Sequence, residues 1–341
     1  MKGYSLLTGA LVAMLTLSCT NESLPLPDYE SLFPAKDSSA LLCFDENKRF
    51  RILQLTDIHY DQTIYNMEIE RNIATLVSLA DPDLIILTGD IVSGQPVPFR
   101  WLTFINYLAR LNKPYVITLG NHDSESKLKR PDLYTMIRYF PNCENDQFED
   151  PTAFTPGDMV VEVSGYDENK IGALLYLFDS NEYTTANTPL GIQPAQTTWF
   201  TQRSQDYKEK GVNNRIPGLI FMHVPLPEYR KATDNPEIGM VGNRGEKEYY
   251  GRDDNGLFQA MQEDGNICGI FCGHDHFNDY ILDYNNIALC YGRKSGSHNT
   301  YQRYPSGGRV IDLYQGEKGF STFIIECDGT QKYHYVYTAT K

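Results

Sequence analysis

The sequence predicts an α/β fold, a four-layer α/β/β/α sandwich in which two mixed sheets pack face to face with helices outside. Three observations support this expectation. Short apolar runs recur from Phe50 onward, as buried strands require. Helix-like stretches with apolar residues at three-to-four spacing separate the first runs, which is typical of βαβ units around a largely parallel sheet. After His276 the pattern changes to short strands, which predicts a second, mostly antiparallel sheet.

Each predicted strand is short and ends in polar residues. The first three strands are predicted at 51–55, 84–87 and 115–119. Helices are predicted between them at 66–80 and 99–112, and Asp81-Pro82 and Lys113-Pro114 mark where these helices stop. A further helix is predicted at 196–208, and further strands at 173–178, 219–223, 267–272, 280–283, 287–291, 310–313 and 321–326.

Composition and charge exclude one class of partner. The 341 residues allow one large domain or two medium ones. The formal charge is −14, from 30 Lys and Arg residues against 44 Asp and Glu residues. Such a chain lacks the basic face on which non-specific nucleic-acid binding depends, so no nucleic-acid partner is expected. A small phosphate substrate remains compatible, because bound metal ions can reverse the field inside a pocket.

The first residues have the plan of a bacterial export signal. An apolar run from Leu6 to Leu17 ends at Ser18-Cys19. A cysteine at this point predicts a lipoprotein, with a signal peptide at residues 1–18 and acylation of Cys19. The alternative is plain secretion with an incidental cysteine, because Thr16-Leu17 departs from the usual lipobox order.

The expected location is therefore the periplasm or the cell surface, with membrane contact only through the lipid on Cys19. The apolar run is shorter than the ~20 residues that a membrane-spanning helix needs. Residues 19–48 contain the lipid attachment site and a polar, proline-bearing tether, although Leu41 to Phe44 is alternatively an edge strand. The folded domain is expected at 49–341. Disulfide pairing and oligomeric state stay open.

Histidines and carboxylates follow the predicted strands at their carboxyl ends, where an α/β sheet places its binding crevice. Asp57-Ile-His59 follows the first strand, and its two-residue spacing directs both side chains to one side of an extended segment. Later strands are followed by Gly89-Asp90, Gly120-Asn-His-Asp123, His223 and Gly273-His-Asp-His276. Imidazole and carboxylate suit zinc, manganese or iron, and a carboxylate can bridge two ions about 3.5–4 Å apart. A single histidine at a strand end is more often structural, but the ordered set predicts a dinuclear metal site at the carboxyl ends of the strands.

In their order, these motifs resemble those of the calcineurin-like metallophosphoesterase superfamily, from about Phe50 to the end of the chain. The resemblance implies metal-dependent hydrolysis of phosphate esters with two divalent or trivalent ions, of Mn, Fe or Zn. It implies one ion held by Asp57, His59 and His276, another held by Asn121, His223 and His274, and Asp90 as the bridge.

The resemblance also implies roles for the residues after the third strand. A metal-bound hydroxide would attack phosphorus, so an acid is needed on the opposite side. His122 would protonate the leaving oxygen or stabilise the transition state, and Asp123 would orient it. Asn121 and His122 would contact the substrate.

A second candidate substrate contact is the Gly/Ser-rich loop at 292–298. Its Arg293 and His298 could reach a bound phosphate, and the alternative is that this loop is simply solvated.

Finer features resemble the purple-acid-phosphatase-like proteins of fungi and plants. They include Phe178-Asp-Ser180 and the segment 223–229. This resemblance implies a phosphomonoesterase that acts on a small phosphate ester or a phosphoprotein. Ser93 stands where purple acid phosphatases carry a metal-bound tyrosine, so a colourless site is expected. Two alternatives stay open: a phosphodiesterase acting on cyclic nucleotides or lipid headgroups, and a non-catalytic surface lipoprotein that binds a ligand.

Overall fold

The computed structural model describes residues 40–61, 65–94, 97–125, 129–166, 170–184, 188–212, 216–251, 255–298 and 300–338. The predicted signal peptide, Cys19 and most of the predicted tether lie outside these ranges. Within the described end of the tether, Leu42 and Phe44 are buried, and Cys43 pairs with Ser164 in an isolated parallel bridge. This segment therefore packs against the folded body. Among the described helices, none has the length and apolarity needed to cross a bilayer.

Strands and helices are interspersed as far as Asp264, and from Ile267 onward the described elements are strands alone. The strands are β1 (Arg49–Leu55), β2 (Leu84–Thr88), β3 (Tyr115–Thr118), β4 (Met159–Ser164), β5 (Ile171–Leu177), β6 (Gly218–Phe221), β7 (Met240–Val241), β8 (Ile267–Cys272), β9 (Ile281–Tyr284), β10 (Ile287–Tyr291), β11 (Gly307–Tyr314), β12 (Gly319–Glu326) and β13 (Gln331–Thr338). The helices are α1 (Asn66–Ala80), α2 (Val97–Ala109), α3 (Arg130–Ile137), α4 (Pro194–Glu209), α5 (Pro227–Thr233) and α6 (Leu257–Asp264), with a 3-10 turn at Asn145–Phe148.

The strands form two mixed sheets, as predicted. The six-stranded sheet has the order β13-β12-β11-β1-β2-β3, and the seven-stranded sheet has the order β4-β5-β6-β8-β10-β9-β7. β1, β2 and β3 run parallel to one another, and so do β5, β6, β8 and β10. The remaining pairings between named strands are antiparallel.

Three apolar cores separate four layers. The core between the sheets contains Ile52 and Ile86 from one sheet and Leu175 and Phe271 from the other. The opposite face of the six-stranded sheet packs on α1, α2 and α3, and that of the seven-stranded sheet packs on α4, α5 and α6. Because both faces of β2, β6 and β8 are covered, these strands are nearly continuous apolar runs without polar alternation. The predicted α/β/β/α layer order is confirmed.

One topological expectation was wrong. The strands after His276 do not form a sheet of their own. β9 and β10 join the seven-stranded sheet beside β8, whereas β11 pairs antiparallel with β1, with Ile311 opposite Ile52, and carries β12 and β13 with it. Apolar runs mark where strands lie but contain no direct record of which strand is the neighbour, so this division was not predictable from the pattern.

Candidate metal centre

Five loops carry the predicted ligands to one place. They follow β1, β2, β3, β6 and β8, and each begins at the carboxyl end of its strand. Parallel pairing brings the ends of β1, β2 and β3 to one edge of the first sheet, and those of β6 and β8 to one edge of the second. The candidate ligand side chains are all buried: Asp57, His59, Asp90, Asn121, His223, His274 and His276.

Two of these loops approach so closely that only glycine fits. A Cβ atom on Gly120 would lie 2.3 Å from both the amide nitrogen and Oδ1 of Asp90. A Cβ atom on Gly273 would lie 2.0 Å from Oγ1 of Thr56 and 2.6 Å from Oδ2 of Asp57. Gly120 therefore allows the loops after β2 and β3 to meet at Asp90, and Gly273 allows the loop after β8 in the second sheet to meet the loop after β1 at Asp57.

The side chains form two groups with metal-ligand geometry. Asp57, His59 and His276 form one group, and Asp90, His223 and His274 form the other; within each, the donor atoms lie within 4.8 Å of one another. These groups contain the six histidine and aspartate ligands that the resemblance implied, with Asp90 in the second; Asn121, the remaining implied ligand, is not a member of either group.

Asp90 also approaches the first group. Its Oδ2 lies 3.1 Å from Nε2 of His223 and 3.6 Å from Nε2 of His59. A carboxylate in contact with a histidine of each group is placed to bridge two ions.

The Nδ1 atoms of two ligand histidines have backbone acceptors that would direct Nε2 towards the centre. Nδ1 of His276 lies 2.9 Å from the carbonyl oxygen of Tyr301, and Nδ1 of His223 lies 2.8 Å from that of Thr88. If each Nδ1 donates its proton there, each Nε2 presents a lone pair to the centre. Nε2 of His276 then lies 3.2 Å from Nε2 of His59, a contact that an intervening cation would stabilise.

Orphaned polar atoms point to the same conclusion. Both polar side-chain atoms of Asn121 are buried without a hydrogen-bond partner among the described residues. Leaving such atoms unpaired costs roughly 1–3 kcal/mol each. The donor set of imidazole, carboxylate and amide oxygen fits two ions of the zinc, manganese or iron class.

The electrostatics of the centre favour added positive charge. Burial alone would raise the pKa of Asp90, but the adjacent His223 and His59 hold that pKa well below its usual value. Burial lowers the pKa of His223, yet the charges of Asp90 and Asp57 outweigh it and raise the pKa to about 9. Burial and the neighbouring His223 lower the pKa of His274 to about 3. A proton on one histidine balances only part of the buried negative charge. Two cations would bind all the donor atoms together.

Four ligands have strained backbone. Asp57, His59, Asp90 and His274 have φ angles of 52°, 48°, 49° and 79°, in the left-handed region that residues other than glycine rarely adopt. Each costs roughly 1–3 kcal/mol, and such strain is concentrated at functional sites.

His122 lies beside the ligands and faces the same cavity. Its backbone amide donates to Oδ1 of Asp90 at 2.9 Å, and its Nδ1 pairs with Glu125. Burial lowers the pKa of His122, but the bond to Glu125 and the charge of Asp90 raise it to about 9. The imidazole is one third exposed, so it remains accessible to a ligand.

The hydrogen bonds of Asp123 go to the backbone and not to His122, which it was expected to orient. This fully buried carboxylate accepts hydrogen bonds from the amides of Gly120 at 2.7 Å, Ile91 at 2.8 Å and Val92 at 2.9 Å. It joins the loop after β2 to the loop after β3, whereas Glu125 is the side chain that contacts His122. Three backbone amides converge on this buried carboxylate, and together they are stronger donors to it than the imidazole of His122 would be.

Arg293, expected to contact the substrate, does not line the cavity over the ligands. Its guanidinium is buried and paired with Asp279 at 2.6 Å and with Glu326 at 3.0 Å, away from the metal centre. The next residue points to the centre instead: Nζ of Lys294 donates to the carbonyl oxygen of Asp57 at 2.8 Å. Burial lowers the pKa of Lys294 to about 8.

His298 does not line the cavity above the metal centre. It is exposed, its ring centroid lies 5.7 Å from that of Tyr65, and it borders a separate cavity of about 510 Å³. The turn of the 292–298 loop, which buries Arg293, carries His298 past the rim. The substrate-binding expectation for His298 is therefore not supported by its position.

A cavity of about 390 Å³ opens over the ligands. Besides ligand residues, His122, Asp275 and Thr300, its walls include Tyr183, Glu246, Lys247, Tyr249 and Tyr301. Sequence reasoning missed these five residues, because none belongs to a spacing pattern that marks a site.

The Phe178-Asp-Ser180 segment supports the loops that carry the ligands. Oγ of Ser180 accepts the amides of His223 and Val224, both at 2.9 Å. Asp179 pairs with Arg130, whose guanidinium also donates to the carbonyl oxygen of Gly120 at 2.7 Å. The segment therefore positions two ligand loops from behind.

Comparisons with known proteins agree with this geometry. The family model described as calcineurin-like phosphoesterase matches residues 50–278. An Arabidopsis thaliana protein named "Probable inactive purple acid phosphatase 29" is 28% identical over 335 residues, which cover 85% of this chain and 83% of that protein. The Saccharomyces cerevisiae protein named "Phosphatase DCR2" is 26% identical over 291 residues, covering 73% of this chain and 48% of the yeast protein.

A solved structure shows the same fold. The dimetal phosphatase from Danio rerio superposes with a TM-score of 0.54 at 11% identity, over 85% of this chain and 99% of that one. At this identity the likeness concerns the fold alone, and the family match rests on the sequence. The chain therefore belongs to the calcineurin-like phosphoesterase family, whose reaction is the metal-dependent hydrolysis of phosphate esters.

Proposed function

We propose that this chain hydrolyses phosphomonoesters, with a small phosphate ester or a phosphoprotein as substrate. The observation that carries the proposal is the pair of three-residue ligand groups, joined through Asp90 and facing one cavity together with the imidazole of His122. Ions bound there would polarise a phosphoryl oxygen and activate water.

His122 supplies the proton that the reaction needs. The water oxygen joins phosphorus, the ester P–O bond breaks, and the leaving oxygen must gain a proton. His122 has a pKa raised to about 9 and is therefore protonated near neutral pH. Its Nδ1 is engaged by Glu125, which leaves Nε2 as the nitrogen that can donate to the leaving oxygen or to the charged transition state.

The walls of the cavity favour a monoester. Lys247 and His122 both line it and would face the dianion of a monoester, which carries one more negative charge than a diester. A phosphodiesterase acting on cyclic nucleotides or lipid headgroups would use the same metal ligands and is the alternative enzyme. The word "inactive" in the Arabidopsis name favours the third alternative, a non-catalytic ligand-binding lipoprotein; against it, no expected metal ligand is missing here.

Turnover of p-nitrophenyl phosphate beside its bis ester tests the proposal. The protein is stripped with a chelator and restored with Mn, Zn or Fe, and Asp90→Asn serves as the blank. We expect metal-dependent hydrolysis that is faster for the monoester and is lost in the variant. Preference for the bis ester would favour the phosphodiesterase. Absence of turnover with two ions bound per chain would favour the binding protein.

We also propose export and anchoring through a lipid on Cys19, on the strength of the N-terminal pattern alone. Cys19→Ser should move the protein from the membrane fraction to the soluble fraction and abolish incorporation of labelled fatty acid. Cys43→Ser is the matched control and should change neither. Soluble wild-type protein would contradict the anchor.

A further inference from the structure

Three tyrosines surround the metal cavity and have no part in the proposed chemistry. Tyr249 and Tyr301 are large aromatic residues left 46% and 50% exposed, and Tyr183 lines the same cavity. Single exposed aromatic residues are ordinary on a protein surface. Three rings around one cavity are a different case, because a clustered apolar surface next to a site marks a place for a ligand.

Each ring is packed against a histidine of the centre. Tyr301 stacks on His276 with ring centroids 4.0 Å apart and an interplanar angle of 14°. Tyr249 lies parallel to His274 at 5.8 Å and 14°. The ring of Tyr183 meets that of His122 edge-on at 5.7 Å. Each of the three rings therefore contacts a histidine that would hold an ion or donate the proton.

Hydrogen bonds hold the backbone of two of these tyrosines. The amide of Tyr249 donates to the Asp275 carboxylate at 3.1 and 3.2 Å, and Tyr301 offers its carbonyl oxygen to His276 at 2.9 Å. A side chain held by both its backbone and its ring loses little further freedom when a ligand packs on it. The rings are preorganised although they are half exposed.

We propose that this tyrosine rim, Tyr183, Tyr249 and Tyr301, is a subsite for an aromatic ring directly attached to the ester oxygen. This inference rests on the proposed phosphomonoesterase function and names its substrate class, the aryl phosphomonoesters. Phosphorylated tyrosine side chains and small aryl phosphates share this chemistry. Stacked or edge-on aromatic contacts with the rim would hold the leaving group while the phosphate lies over the ions.

The charges of the cavity agree with a single phosphate and an uncharged ring. Lys247 and His122 suit the phosphate end, whereas Glu246 forms part of the wall and would repel a second anionic group. The edge-on contact between Tyr183 and His122 places aromatic surface beside the proton donor, where the leaving phenol would depart.

Binding of two phosphonates tests the subsite without any contribution from bond breaking. Benzylphosphonate and methylphosphonate carry the same charged group, and only the first carries a ring. Calorimetric titration of metal-loaded protein gives both dissociation constants. We expect benzylphosphonate to bind about tenfold more tightly, and Tyr249→Leu to weaken it about fivefold while methylphosphonate changes less than twofold.

Two control variants sharpen the result. Tyr249→Phe keeps the ring and should bind both phosphonates as the wild type does. Tyr166→Leu removes an equally exposed tyrosine that follows β4, at the edge of the sheet opposite the centre, and should change nothing. Metal content is measured for every variant.

The outcomes separate the two proposals. Equal affinity of the wild type for both phosphonates overturns the subsite but leaves the phosphomonoesterase intact. An equal decrease in the affinity for both phosphonates in Tyr249→Leu also overturns the subsite, because the tyrosine would then support the whole centre. Failure of both phosphonates to bind protein that holds two ions overturns the proposed function itself. With the subsite supported, comparing free phosphotyrosine with a phosphotyrosine peptide distinguishes a small substrate from a protein.

Discussion

Adjacent residues in this site have separate tasks, and His122 and Asp123 show it most clearly. The imidazole faces the cavity and pairs with Glu125, whereas the neighbouring carboxylate is buried and accepts three backbone amides. Under the proposed function His122 is therefore the proton donor, whereas Asp123 joins the two ligand loops.

Replacing His122 should have an effect that depends on the leaving group. His122→Ala is expected to lower kcat about 10²–10³-fold for phenyl phosphate, because phenolate is a poor leaving group that needs the proton. The loss should be much smaller for p-nitrophenyl phosphate, whose anion leaves readily. Steady-state kinetics on both substrates check this, with metal content as the control. Equal losses on both substrates would show that His122 acts only by holding the phosphate.

The ligands were predictable from the sequence and the cavity walls were not, for a physical reason. A histidine or carboxylate directly after a buried strand is rare enough to indicate a site when the arrangement recurs along the chain. The chain has 24 tyrosines, so the position of Tyr249 or Tyr301 indicates nothing by itself. The position of Arg293 was not predictable for a similar reason. Its guanidinium is placed by Asp279 and Glu326, and Glu326 lies 33 positions further along the chain.

At the scale of elements, the close contact between the loops after β2 and β3 decides the geometry of Asp90. Gly120→Ala would place a Cβ atom 2.3 Å from Asp90 and should displace that carboxylate. We expect metal affinity to fall about 10–100-fold, as when a supporting contact of a ligand is lost. Metal titration followed by mass spectrometry gives the measurement.

Gly239→Ala provides the matched control. Nothing lies within 4 Å of a Cβ atom added there, and its backbone is outside the left-handed region. Unchanged metal binding is expected in this variant. Full metal affinity in Gly120→Ala would mean that the loops can separate without loss of the centre.

Glu248 joins elements around the last ligand loop. Its carboxylate pairs with Arg230 on α5 at 2.6 Å, with Arg244 at 2.7 Å, and accepts the hydroxyl of Tyr280 at 3.0 Å. Burial would raise the pKa of Glu248, but the two arginines outweigh it and lower the pKa to about 2 from 4.5. This interaction therefore contributes fully above about pH 4.5 and is lost as the pH falls towards 2.

Glu248→Gln should destabilise the fold by about 3 kcal/mol at pH 7, because two partly buried arginines lose their counter-charge. The difference from wild type should shrink below about pH 4.5, because the unfolded wild-type chain then binds a proton at Glu248 that the folded protein takes up only near pH 2. Denaturant unfolding between pH 3 and pH 7 measures both effects. The exposed Glu237→Gln is the control and should follow the wild type throughout. A difference that is constant with pH would exclude the ionic explanation.

Strand positions followed from apolar runs because a strand covered on both faces has little choice of composition. Strand partners did not follow, and β11 shows why. Its pairing with β1 joins residues more than 250 positions apart, as in Ile52 with Ile311. The partner of β11 is determined by packing of the whole core, and a local pattern of residues contains no information about it.

At the scale of the whole molecule, the two ligand groups each draw on both sheets. Asp57 and His59 follow a strand of one sheet and His276 follows a strand of the other; Asp90 likewise meets His223. Bound ions should therefore stabilise the folded chain against unfolding, since the unfolded chain does not present this arrangement.

Chelation should lower the melting temperature by several degrees, and returning the metal should restore it. An ion at 100 times its dissociation constant contributes about 2.7 kcal/mol per site. Differential scanning calorimetry with and without chelator provides the test, and Asp90→Asn should show a smaller change. A melting temperature that does not respond to chelation would show that the sheets hold together without the ions.

The spread of the ligands along the chain also determines where the metal is acquired. The ligands extend from Asp57 to His276, so the site is complete only after nearly all of the polypeptide has folded. Partial chains emerging from the ribosome hold no finished site and cannot select an ion. An ion bound at this site would therefore come from the compartment in which folding ends, and the supply of metals there would decide which ion the site holds.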